Sequence, residues 1–250
     1  ILGYGVRAVG VVQKMDGFVL ERLRETGSAL ASSEAQGEMY RQLEAIFGEL
    51  TDTDISSQLA QFSNSINDVL NQPGNDALRR LVIERGKSLT GNIRSISRQV
   101  TDIATNINNE IRGTATQLNR LTTLNRRIVE IEGGRTSGSD AVGLRDERLQ
   151  VLQNISDIVD IRAVEQTSGA ITLFVGGEYL VADGIQRPVT AALKVTEDGN
   201  FPEIRLADTD SPLQVSAGRL HGLYAARESG VGSVIQDLDQ FARDVIEQFN

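Results

Sequence analysis

The sequence predicts a mainly α fold with a β insertion (α+β): an elongated helical bundle, a coiled-coil-like rod, plus a small antiparallel β-rich domain. Three observations lead there. Aliphatic residues keep helical spacing from Leu89 through Ile93, Ile96, Val100, Ile103, Ile107, Ile111, Ala115, Leu118, Leu121, Leu124 and Ile128 to Ile131. Their steps of three and four average near 3.5, the period of a coiled-coil seam. From about Asp157 the period changes to alternation, and beyond Gly218 it returns to helical. The expected organisation is a helical rod over 1–156 with one long helix at about 75–132, a β-rich domain over 157–217, and returning helices over 218–250 that pack on the rod.

Taken in order, Tyr4 to Val12 is β-branched and Gly-punctuated, which suits a short strand or extended lead-in. Helical spacing starts near Asp16, with Phe18, Leu23, Leu30, Ala31, Ala35, Met39, Leu43, Ile46, Phe47 and Leu50 as the apolar positions. Gly27 and Gly37 interrupt it, each costing about 1 kcal/mol relative to Ala, so tertiary packing must hold this helix. Thr51–Asp54 is a cap-rich break, and a shorter amphipathic helix follows with Leu59, Phe62, Ile66, Val69 and Leu70 on one side. Gln72–Asn75 reads as a turn, with Asn75 or Asp76 as N-cap of the long helix. Extended back to Leu78 and Val82, that helix would be on the order of 80 Å long at 1.5 Å per residue. A single helix of that length is not stable in water without partner helices. All four prolines (Pro73, Pro188, Pro202, Pro212) lie outside it, as expected where an interior Pro costs about 3 kcal/mol.

Gly133–Asp140, rich in Gly and Ser, ends the long helix in a flexible loop, and Leu144, Leu149, Leu152 and Ile155 mark another helix. Alternation over Val159, Ile161 and Val164, then Ile171, Leu173 and Val175, predicts a hairpin turning at Ser168–Gly169. The β pattern continues through Glu178–Val181, Val189–Val195 and Phe201–Leu206, separated by Asp183–Gly184 and Asp198–Asn200. Leu220, Leu223 and Tyr224 restart the helical period, and a final helix carries Val234, Leu238, Phe241, Val245 and Phe249. Ile1 follows no initiator Met and the helical pattern is still running at Asn250, so the sequence reads as an excised piece of a longer protein.

Composition bounds the chemistry. A net charge of -9 argues against nucleic acid or an anionic membrane surface as partner. The absence of cysteine excludes disulfides, thiolate catalysis and Cys-ligated metals. No stretch approaches the roughly 20 apolar residues of a transmembrane helix, so membrane insertion is not expected. His221, the one histidine, sits in a packing stripe with Leu220, Leu223 and Tyr224 and reads as a helix-surface or interface residue. The acidic pairs Asp157/Asp160, Asp208/Asp210 and Asp237/Asp239 could in principle serve hydrolysis, but a glycosidase needs two carboxylates across a cleft and nothing in the sequence predicts one. Asp208-Thr209-Asp210 lacks the Gly and terminal Glu of a calcium loop, and neither Gly133-Gly134 nor Gly3-x-Gly5 has the spacing of a phosphate cradle. Arginines at 94, 98, 112, 120, 126 and 127 alternate with Asp102, Glu110 and Glu130, the pattern of a solvated helix face. Hence no catalytic, cofactor-binding or metal-binding residue is assigned, and the chain is expected not to be an enzyme.

The segment Gly143-Leu-Arg-Asp-Glu-Arg148-Leu149-Gln-Val-Leu152-Gln-Asn-Ile155-Ser156-Asp-Ile-Val159-Asp160-Ile161 resembles a signature of the bacterial flagellar hook-associated protein 1 family, the first hook–filament junction proteins. Gly169 to Val181, with its Gly176-Gly177, is similar to that family's hairpin; Gly5 to Leu23 resembles its approach to the first rod helix, and Gly218-Arg219-Leu220-His221-Gly222-Leu223 its return to the rod. Leu149 stands where the family often has a second Asp. The resemblance implies a core fragment lacking the family's terminal amphipathic segments, which form the inner tube and drive polymerisation, the C-terminal one also binding the export chaperone. It implies a structural part of the extracellular flagellum, secreted by type III export without a Sec signal peptide. That part joins hook to filament by axial and lateral rod packing, with the hook protein, the second junction protein and like copies as partners. Two alternatives stay open: another axial flagellar protein (the second junction protein or a flagellin), or a carbohydrate-binding or hydrolytic module in the β segment that uses Asp183, Asp208 or Asp210.

Overall fold

The computed structural model describes residues 17–47, 54–133, 141–166, 170–182, 185–196 and 199–249. Among the described residues six α-helices and six strands follow one another: α1 (Gly17–Phe47), α2 (Ile55–Asn71), α3 (Asp76–Gly133), α4 (Ala141–Ile158), β1 (Arg162–Glu165), β2 (Ile171–Val175), β3 (Glu178–Ala182), β4 (Ile185–Gln186), β5 (Val189–Thr196), β6 (Gly199–Leu206), α5 (Gly218–Ala225) and α6 (Gly232–Phe249), with a π-helical segment, Ala226–Val231, between α5 and α6. The architecture is therefore α+β, with long helices and small antiparallel sheets. The lead-in at Tyr4–Val12, the break at 51–53, the Gly-rich loop at 134–140 and the turns at Ser168–Gly169 and Asp183–Gly184 lie outside the described residues. The chain divides into two compact units, one of Ile1–Ala35 with Asn108–Tyr224, the other of Gln36–Ile107 with Ala225–Asn250.

The caps follow the local chemistry. Asp54 takes an extended conformation and its carboxylate accepts from the Ser57 amide at 2.5 Å, starting α2. Asn75 caps α3, its Oδ1 accepting from the Ala77 amide at 3.0 Å, while Arg79 donates to the Pro73 carbonyl at 2.6 Å. From there α3 runs 58 residues, roughly 90 Å of helix.

Along α3 the aliphatic seam points inward: Leu89, Ile96, Val100, Ile103, Ile107, Ile111, Ala115 and Leu118 are all buried. Its continuation differs from the expected one. Leu121 and Leu124 are only half-buried, and the interior positions are Thr122 and Asn125. The reason lies in the β module, whose Gln186 donates to the Thr122 hydroxyl at 2.7 Å; a polar partner requires a polar helix face.

In α1 the sequence expectation also needs correction. Phe18, Leu23 and Leu30 are exposed, whereas Ser28, Ser32 and Ala35 are buried. Helix α5 approaches α1 at Gly222, where an added Cβ would lie 2.4 Å from the Ser32 carbonyl oxygen and 2.8 Å from the Ala35 Cβ. Contact that close selects small residues and leaves the larger aliphatics on other faces.

In the second unit, Met39 and Leu43 of α1 are buried along with Leu89 and Val100 of α3, Ala226 and Val231 of the π-helical segment, and Leu238 of α6. The Phe62 and Phe249 rings meet edge-on with centroids 5.0 Å apart, so the last helix returns to α2. Leu59, Phe62, Ile66 and Val69 of α2 are half-buried, and Leu70 is exposed.

The β module belongs wholly to the first unit. Strands β1 to β4 form an antiparallel sheet in sequence order, and β5 and β6 form a separate hairpin. Helix α4 persists to Ile158, so the change of period comes later than Val159: the Val159 amide still donates to Ile155 at 2.9 Å and β1 begins at Arg162. Between β2 and β3 the pair Val175↔Glu178 closes on Gly176-Gly177, both with positive φ, the two-residue turn that matches strand twist. In the β5–β6 hairpin Thr196 pairs with Gly199 and Val195 with Asn200, so Gly199 and Asn200 are strand residues and not part of the turn. Buried Ile171, Leu173, Val175, Leu180 and Val181 from the sheet, with Val189, Ile204 and Leu206 from the hairpin, belong to the same unit as buried Leu152, Ile155 and Val159 of α4.

Candidate functional site

The residues weighed for chemistry are distributed among structural contacts. His221 Nδ1 lies 3.0 Å from the Ser32 hydroxyl, a bond between α5 and α1. Asp157 accepts from Gln153 at 3.1 Å along α4. Asp237 and Asp239 lie exposed on α6, and Asp183 lies outside the described residues. Among the described residues no three His, Cys, Asp or Glu side chains gather in a group able to hold a metal, and no helix is long and apolar enough to cross a membrane.

Asp208 and Asp210 are each engaged by arginine. Arg187, almost fully buried, donates to both Asp208 oxygens at 2.7 and 3.1 Å and to Glu178 at 2.7 Å, with its guanidinium 4.8 Å from the Tyr179 ring centre. Arg205 reaches Asp210 at 3.2 Å. The hydrogen bonds from Arg187 hold the Asp208 carboxyl below its ordinary value, and those same bonds to Asp208 and then Glu178 raise Arg187 above its own. A carboxylate fixed in this way is a poor proton donor. The arrangement is a clamp joining the start of β3, the segment before β5 and the turn after β6.

Three further connections tie the β module to the helices. At its neck, where the chain leaves α4 and returns to α5, Asp160 accepts from the Ser216 amide at 2.9 Å, the Ser216 hydroxyl at 2.7 Å and the Ala217 amide at 3.4 Å. The two backbones touch there: an added Cβ at Gly218, which has φ +84°, would lie 2.5 Å from the Ile158 carbonyl oxygen. On α3, the Asn119 side chain docks on β5 like a strand neighbour, donating to the Val189 carbonyl at 2.7 Å and accepting from its amide at 2.8 Å. Gln186 adds bonds to the Asn119 carbonyl and to the Thr122 and Thr123 hydroxyls. On α5, the Tyr224 hydroxyl accepts from the Ile204 amide at 2.8 Å. Arg219 of α5 pairs with Glu110 of α3.

The sequence does not single out Arg187, Asn119 or Gln186, which are isolated polar residues with no spacing to mark them, and it marks Tyr224 only as part of an apolar helical stripe. Asp160 is read from the sequence as half of an acidic pair and as part of the Val159-Asp160-Ile161 end of the family-like segment, with no partner assigned. Its signal is the Val159-Asp160-Ile161 alternation, an acid between two apolar residues at the lead-in to a strand, with Ser216 and Gly218 awaiting it at the start of a helix.

A family model described as the flagellar hook-associated protein FlgK helical domain matches residues 40–250, taking in α3, the β module and both returning helices. The chain belongs to the FlgK family of flagellar hook-associated proteins. It is 25% identical over 280 residues to flagellar hook-associated protein 1 of Bacillus subtilis, covering 100% of this chain and 55% of that protein. To the protein of the same name from Escherichia coli it is 21% identical over 259 residues, covering 100% of this chain and 47% of the relative. The chain thus spans about half the length of these relatives. Among solved structures, the flagellar hook junction protein FlgK from Burkholderia pseudomallei shares the fold, with a TM-score of 0.67 at 19% identity over 84% of this chain and 38% of that one.

Proposed function

We propose that this FlgK-family chain is the structural body of a hook–filament junction protein, joining hook to filament by axial and lateral packing of its helices with no chemical step. The family match over residues 40–250 carries the reading. Two features support it: the 58-residue helix α3, and the engagement of Asp208 and Asp210 by arginine. Its partners in this reading are the hook protein, the second junction protein and like copies, in the extracellular flagellum. In this reading the export chaperone is met through a C-terminal segment, and export proceeds without a Sec signal.

The test is genetic and microscopic. Cells that lack the parent protein should show hooks without filaments and release flagellin into the medium, and the full-length parent gene should restore filaments. Normal filaments on cells without it would overturn the reading.

A further inference from the structure

A cavity of about 500 Å³ opens between α1, α4 and β1 of the first unit. Three guanidinium groups from three separate elements line it, Arg24 from α1, Arg148 from α4 and Arg162 from β1, against the two carboxylates of Glu21 and Glu165. Positive charge is therefore in excess. Arg148 is buried and reaches Glu165 at 3.4 Å, while Glu165 itself is largely exposed. Arg162 stands 5.0 Å from the Phe174 ring centre, which fixes its plane. The Arg24 Nε is buried and has no hydrogen-bond partner. Burial pushes this guanidinium down from its ordinary value, with the charge of Glu21 opposing.

An arginine stays charged in protein interiors and carries its donors in a planar fork that matches a carboxylate. A buried donor without an acceptor is costly, and the cost is relieved when an oxyanion enters. The remainder of the wall is aliphatic, from Leu20, Leu149, Leu152, Val164 and Ile171. Such a wall favours an anion carried on a hydrocarbon stem over a compact, fully hydrated one. We propose that the cavity between α1, α4 and β1 is a binding site for a carboxylate on an aliphatic stem, received by Arg24 and Arg162 beside the Arg148–Glu165 pair. The chemistry is shared by a glutamate side chain of a neighbouring polypeptide and by a free short-chain dicarboxylic acid. The site is independent of the junction reading, and its failure would leave that reading intact.

The experiment titrates the chain with glutarate at constant ionic strength, read by calorimetry and by amide chemical shifts, with inorganic phosphate as the compact comparator. Saturable glutarate binding is expected, with shifts concentrated at residues 20–24, 148–152 and 162–165. Arg24→Gln should weaken it at least tenfold and Arg24→Lys less, while Arg41→Gln, an exposed change further along α1, should leave it unchanged. Should Arg24→Gln lose its helical circular dichroism, Arg162→Gln makes the same test from the strand side. A capped tripeptide with a central Glu distinguishes the sources: tighter binding than glutarate marks a protein side chain as the ligand, weaker binding marks the free acid, and both support the site. A response that does not saturate, equal affinity in the Arg24→Gln and Arg162→Gln variants, or phosphate binding as tightly as glutarate would overturn it.

Discussion

Asp160 accepts three hydrogen bonds from residues 56 and 57 positions away, which makes it the most economical tie in the first unit. Asp160→Ala leaves two backbone amides at the start of α5 without their acceptor. It should lower the stability of the first unit by about 1 to 3 kcal/mol, read as a lower urea midpoint at unchanged slope; an unchanged midpoint would show that the neck holds without it. Asp208 gives a pH signature. Its folded pKa is depressed by Arg187, so the stabilisation it supplies is present above the unfolded aspartate value, about 3.9, and is lost as pH falls through the folded value. Urea midpoints of the parent and Asp208→Asn should therefore differ most above about pH 4 and converge in more acidic solution. A gap that widened toward acid would show that the clamp owes nothing to charge. These two residues mark the reach of sequence reading at this scale. Both were visible as acids in Asp-rich turns, but their partners lie 56 and 21 positions away, and no local pattern encodes such a pairing.

At the scale of elements, periodicity served best where a helix buries aliphatics alone. From Leu89 to Leu118 the spacing of α3 names most of the buried residues, with Ile93 only half-buried and Thr114 buried between the aliphatics. It fails at Thr122, which meets Gln186 of the β module, at the buried Asn125, and in α1, where the close approach of Gly222 selects small residues at Ser32 and Ala35. The π-helical segment Ala226–Val231 has no counterpart in the sequence pattern, since a single widened turn leaves the apolar period on either side intact. Asn125 offers a test. It is fully buried and neither its amide nitrogen nor its oxygen has a hydrogen-bond partner. Asn125→Leu, which keeps the branching and the number of side-chain heavy atoms, should raise stability by about 1 to 3 kcal/mol, read as a higher urea midpoint, because a desolvated, unsatisfied amide is replaced by an apolar group. A lowered midpoint would reveal an acceptor for the amide in solution.

Across the whole molecule the two units differ in how their interiors are built. Among the described residues, the largest fully buried side chains are Ile111, Leu118, Leu152, Ile155, Leu173, Leu180, Ile204, Leu206 and Leu220 in the first unit, and Leu89 and Val100 in the second. Native-state hydrogen exchange should accordingly find the strongest protection in α4, β2, β3 and β6, with amides of α2 and α6 opening at lower free energy. Equal protection throughout would mean that the two units unfold as one. The mainly helical class and the presence of a β insertion were legible in the changes of period near Asp157 and Gly218. The interleaving of the units was not, because it depends on which distant segments share a core.

The neck also has a mechanical meaning. Tension drawn along the backbone from α4 toward α5 meets the Asp160–Ser216 bridge and the abutting Ile158 and Gly218 backbones before it reaches any strand. For a pull that runs along the chain through the neck, the sheet and hairpin are a side branch that takes up load through the backbone only after Asp160 lets go, while Asn119, Gln186 and Tyr224 keep them fastened to α3 and α5.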